Sequence, residues 1–171
     1  MKRFYKEVAV AASDGGFAVL LDGRSVKTPA RNALLLPTEK LATAIAAEWR
    51  AQGEEVIATA MPLLRLANTV MDGVIPNREG VIDAILRFGE NDLICYRAHQ
   101  PPDLAVRQRE GWDPVLAWAR QKFGAGLLVA DGITHVDQPP ETLAAFRQAL
   151  AKYDPFTLAG LHVVASITGS L

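Results

Sequence analysis

Two residues, Asp22-Gly23, constrain the start of this chain more than any others. They separate the run Phe17 to Leu21 (FAVLL) from Arg24 to Thr28 (RSVKT), and both runs favour extended backbone. A two-residue turn between antiparallel strands needs positive φ, which Asp and Gly tolerate, so the pair predicts a β-hairpin. Asp14-Gly15-Gly16 predicts a second turn and makes Glu7 to Ala11 a partner strand. Ala33 to Leu36 reads as a fourth strand. The economical reading is a small antiparallel sheet.

Helix signals follow. Pro37-Thr38-Glu39 places a capping hydroxyl before an acidic first turn, where the helix dipole favours negative charge. Leu41, Ile45 and Trp49, joined by Ala42 and Ala46, form one apolar stripe that suits a helix covering the sheet, with Gly53 ending it. Pro62 opens another helix, Arg78 to Phe88 a third and Pro102 to Arg109 a fourth. Asp113-Pro114 reads as a cap and first-turn proline starting a separate helix that runs to Gly124. Leu143, Phe146, Leu150 and Tyr153 mark the next helix. The last stretch, FTLAGLHVVASITGSL, is apolar around most of its circumference and predicts a buried helix with no cap at its end. The expected fold class is therefore α+β: a small N-terminal antiparallel sheet with a covering helix, then an all-helical domain. The expected division is 1–75 and 76–171, the second part being incomplete at its C-terminal end.

Composition narrows function by exclusion. Half of the 171 residues are hydrophobic and the formal net charge is −1, with cations scattered rather than grouped. Nucleic acid and anionic membranes both call for a basic face, so neither is expected as a partner. One cysteine cannot form an internal disulfide, which points to a reducing, cytoplasmic setting. No stretch approaches the roughly 20 apolar residues of a membrane span, and Val8 to Ala12 is too short for a signal-peptide core.

The search for chemistry finds no metal-ligand spacing among His99, His135 and His162, no phosphate-binding glycine loop and no nucleophile elbow. Asp92, Cys95, Tyr96 and Arg97 crowd into NDLICYRA and resemble an active site. A reactive thiol needs a cation or a helix N-terminus beside it, whereas a lone cysteine is usually a small buried hydrophobe. The structural reading is the stronger. Asp92 and Arg97 are read as an internal ion pair pinning this segment. Asp22, Arg24 and Lys27 read as charges on a hairpin tip. No catalytic residue, metal or cofactor is expected.

Four motifs in this order resemble a known family: LDGRSVKTPARNALLLPT (Leu21 to Thr38), AAEWRAQ (Ala46 to Gln52), DLICYRA (Asp92 to Ala98) and QREGWDPVLAWA (Gln108 to Ala119). The family is the dedicated assembly chaperone of the F-type ATP synthase alpha subunit, found in mitochondria and alphaproteobacteria. The resemblance implies a non-enzyme that shields the free alpha subunit until the beta subunit replaces it. It also implies a monomer, located in the bacterial cytoplasm or, for eukaryotic relatives, in the mitochondrial matrix. Family members continue past Gly169-Ser170-Leu171 with more helix and an acidic tail. Candidate contacts are Glu48, Trp49, Arg97, Trp112 and Asp113: tryptophan is enriched at binding hot spots, and Glu48 points off the sheet-facing stripe of its helix. Trp118 is expected on a buried apolar face. The competing readings are a small-molecule enzyme with Asp22, Arg24, Lys27 or Cys95 in an interdomain cleft, and a permanent structural subunit.

Overall fold

A computed structural model describes residues 1–171. The chain forms two compact units, Met1–Asn77 and Arg78–Leu171.

In the first unit, β1 (Val8–Ser13) and β2 (Gly16–Leu21) pair antiparallel from Val8↔Leu21 to Ser13↔Gly16. Asp22 and Gly23 adopt φ of 48° and 76°, and β3 (Arg24–Ser25) returns along β2. The Asp-Gly hairpin thus forms for the anticipated reason, positive φ at both turn residues. The fourth strand does not form. Arg31 turns the chain at φ 67°, and Ala33 and Leu36 touch the sheet only as single bridges to Lys27 and Phe17. Phe17 and Leu36 exchange backbone hydrogen bonds of 2.9 Å in each direction. That close approach leaves no room at Gly16, where a Cβ would collide with the Leu36 carbonyl oxygen.

β1 lies at the edge of the three-stranded sheet. Its register sends the odd-numbered residues toward β2, as the Asp22 amide bonded to the Glu7 carbonyl shows, so Val8, Val10 and Ala12 point their amides and carbonyls outward. Only the Val8 carbonyl has a cover, the Arg50 guanidinium at 2.9 Å.

Helix α1 (Glu39–Arg50) starts where Thr38 Oγ1 accepts from the Leu41 amide at 3.2 Å. Its stripe Ala42, Ile45, Ala46 and Trp49 is buried against the sheet side of the unit with Val19 and Leu21. Each large side chain so buried contributes about 1.5–3 kcal/mol. The helix stops at Arg50, before Gly53. Helix α2 (Pro62–Thr69) has proline in its first turn, the position where a missing N–H costs least, and continues into a wider turn over Val70–Val74. Asp72 in that turn accepts from the Thr28 hydroxyl, the Asn32 side-chain amide and the Ala30 backbone amide at 2.7, 2.9 and 3.0 Å. One carboxylate therefore ties the helical end of the unit to the 28–32 turn.

The second unit is built on α3 (Arg78–Glu90), α5 (Pro140–Leu150) and α6 (Pro155–Thr168). Ile82, Ile85 and Leu86 meet Phe146, Leu150, Leu158 and Ala159 in its core. Arg147 of α5 pairs with Asp83 and Glu79 of α3 at the rim. The unit also holds one short parallel pairing, β4 (Tyr96–Arg97) with β5 (Ala130–Asp131).

Two expectations need correction here. α4 is one helix, Pro102–Phe123, with Pro114 inside it. α6 is capped at both ends: the Asp154 carboxylate accepts from the Phe156 and Thr157 amides, and Gly169 closes the helix in the left-handed conformation. Nor is α6 buried all round, for Val164 and Ile167 are 56% and 78% exposed. No helix is long and apolar enough to cross a membrane.

Candidate partner-binding surface

The DLICYR segment folds as a single turn of tight helix, Leu93–Cys95, running into β4. Asp92 caps that turn by accepting from the Ile94 amide at 3.1 Å, and its second oxygen accepts from the Leu171 amide at 2.8 Å. Burial pushes the Asp92 carboxyl above its ordinary pKa, against the hydrogen bonds that favour its charged form. The expected Asp92–Arg97 ion pair is absent. The turn between them spends the aspartate on backbone amides and directs the guanidinium elsewhere.

Cys95 is completely buried. Burial, and secondarily the Asp92 charge, raises its thiol pKa to about 11. A thiol so placed supplies almost no thiolate at neutral pH, which favours the structural reading of Cys95.

Arg97 is buried, and it gathers the sequence-chosen residues around itself. Its Nε donates to the Ile94 carbonyl at 2.9 Å, and its guanidinium carbon lies 5.3 Å from the centre of the Trp112 ring. Nη2 is 2.8 Å from Asp113 Oδ1, close enough to pair by charge although bent away from hydrogen-bond geometry, and Nη1 has no acceptor. The Ala98 amide donates to Gln108 Oε1 at 2.8 Å, a second rivet between the end of β4 and α4. Asp113 is therefore not a helix cap. It sits within α4, mostly exposed, as the counter-charge of a buried arginine.

α4 presents this cluster to solvent. Of its 22 residues only Ala119 is buried. Val115 is 45% and Trp118 54% exposed, so Trp118 does not occupy the buried face expected of it. It packs edge-on to Phe123, with ring centres 5.2 Å apart. Hollows of about 280 and 500 Å³ flank Trp112 and Asp113, the first along Leu104 and Gln108, the second along Leu116 and Val129. An exposed helix carrying aromatic, aliphatic and paired charged groups has the makings of a protein interface: apolar patches within a polar rim. Sequence reasoning missed Val115 and Trp118 because it assigned that stripe to a core.

Glu48 and Trp49 lie in the other unit and do not join the cluster. Glu48 accepts from the Leu63 and Leu64 amides at 2.8 and 2.9 Å, placing a carboxylate at the positive end of α2. Trp49 is buried beside Tyr5, whose hydroxyl donates to the Trp49 carbonyl at 2.7 Å, while its indole Nε1–H finds no acceptor. No group of three or more His, Cys, Asp or Glu side chains converges as a metal site would.

Comparison with known proteins gives consistent matches. The model of the family described as ATP12 chaperone protein matches residues 2–120. The curated mitochondrial protein atp12 of Schizosaccharomyces pombe is 28% identical over 174 aligned residues. That alignment covers 94% of this chain and 60% of the relative, so the chain spans less than two thirds of the relative's length. A crystal structure of Atp12 from Paracoccus denitrificans aligns with a TM-score of 0.93 at 41% identity, over 99% of this chain and 72% of that one. A structure from Agrobacterium tumefaciens aligns with a TM-score of 0.91 at 47% identity, over 99% of this chain and 64% of that one.

Proposed function

The chain belongs to the ATP12 chaperone protein family, and from that premise we propose that it is an assembly chaperone of the F-type ATP synthase. In this reading it binds the free alpha subunit as a monomer in the bacterial cytoplasm and yields its place to the beta subunit. A new alpha subunit exposes apolar surface that beta will later cover, and such surface aggregates when left bare. Shielding it takes a complementary patch on the order of 800 Å² per partner and no bond-making group. Exchange follows from mass action when beta binds alpha more favourably than the chaperone does.

The observation that carries this reading within the molecule is the exposed face of α4. Arg97 holds Trp112 and Asp113 in place there, and Val115 and Trp118 stand in solvent. The buried, high-pKa Cys95 counts against the enzyme reading, for which it was one candidate residue.

Co-expression with the alpha subunit of the same ATP synthase tests the proposal. A soluble one-to-one complex that purified beta disperses is the expected result, with crosslinks from α4 to alpha. A complex that persists after beta is added marks a permanent subunit, and failure to hold alpha in solution overturns the chaperone reading.

A further inference from the structure

The first unit carries a second candidate site, formed by an aromatic ladder under a cationic rim. Phe4, Tyr5 and Trp49 meet edge to face, with ring centres 5.4 and 5.3 Å apart. They line a cavity of about 450 Å³ together with Asp22, Arg24 and Lys27. Tyr5 and Trp49 are buried in its wall, and Phe4 is 62% exposed.

Charge decides what fits there. Arg24 and Lys27 are exposed, and neither takes part in any of the four ion pairs of the chain. Asp22 is the only carboxylate lining the cavity, and it is already engaged: its oxygens accept from the Lys6 amide at 3.0 and 3.2 Å and from the Glu7 amide at 2.7 Å. The lining groups therefore sum to one excess positive charge, with the negative member turned to the backbone. Trp49 supplies apolar wall and no donor: it is 7% exposed, it lines the cavity, and its Nε1–H is buried out of reach of solvent.

We propose that this cavity receives a carboxylate side chain of the client polypeptide, with a neighbouring apolar residue of the same segment packing on Phe4. The proposal rests on the chaperone reading and gives the client one recognisable feature, an acidic residue beside a hydrophobic one. Arg24 and Lys27 set the charge preference, and because both are exposed the attraction is open to screening by salt.

The test is titration of the chain with the alpha subunit, comparing the unmodified protein with Arg24→Glu/Lys27→Glu and with the milder Arg24→Gln/Lys27→Gln. Melting temperatures confirm that each variant folds. Charge reversal should weaken the complex about tenfold or more at low salt, neutralisation should weaken it less, and raising salt from about 50 to 500 mM should close the gap. Folded variants that bind alpha as tightly as the unmodified chain overturn this site and leave the chaperone reading intact. Failure of the unmodified chain to bind alpha overturns both.

Discussion

Two residues show how single side chains set the stability of each unit. Asp72 accepts three hydrogen bonds, and the Thr28 hydroxyl above all, with Asn32 and Ala30, holds its carboxyl below the ordinary value of 3.8. A lowered pKa means the tie contributes fully above the unfolded-state value and is lost as pH falls through the folded one. Asp72→Asn should lower the urea midpoint at neutral pH and flatten its decline below about pH 4, where carboxylates take up protons. An unchanged acid slope would show that the tie does not form. Cys95 has no exposed surface and a thiol pKa of about 11. It should resist a thiol reagent until the protein unfolds, and Cys95→Ser should cost about 1–3 kcal/mol by placing a hydroxyl where no partner waits. A denaturation midpoint unaltered by that change would contradict its burial. The burial of Cys95 was legible in the sequence, because an isolated cysteine among apolar neighbours has few other uses. The fate of Asp92 was not. Closeness in sequence suggested Arg97, whereas the tight helical turn hands the carboxylate to the amides of Ile94 and Leu171.

At the scale of elements, hairpins read well and helix limits read poorly, for one reason. A turn is decided by two residues whose φ preferences are local, as at Asp22-Gly23. A helix boundary is decided by what the surrounding fold supplies. Gly111 and Asp113-Pro114 form a plausible stop and start, yet α4 passes through them unbroken. Proline there forfeits the bond to the Glu110 carbonyl, while Arg97 lies against Trp112 and Asp113 on that very turn. Pro114→Ala restores the missing donor and should stabilise the protein by about 1–3 kcal/mol, read as a higher melting temperature. A lower one would mean that the fold requires the proline's local geometry. Ala33–Leu36 fails as a strand by the converse logic. Its residues favour extension, but Arg31 turns the chain so that it touches the sheet only at isolated points.

For the molecule as a whole, the sequence contains the family's motifs in order but not the surface they build. Trp112 and Asp113 were found as isolated letters, and only folding brings them to Arg97. Trp118 was placed in a core that lies elsewhere, since apolar spacing on a helix does not say whether a neighbour covers it. Val115→Asp/Trp118→Asp should therefore leave the melting temperature nearly unchanged while weakening the complex with alpha at least tenfold, about 1.4 kcal/mol. A double variant that binds normally would move the interface off α4. The border of the sheet has a separate consequence. Val8–Ser13 has no lysine, proline or bulge, and only Arg50 guards one of its carbonyls. Molecules concentrated in storage can be stitched along that seam, Val10 and Ala12 of one copy to any extended chain that drifts past, which makes this edge the place where self-association would begin.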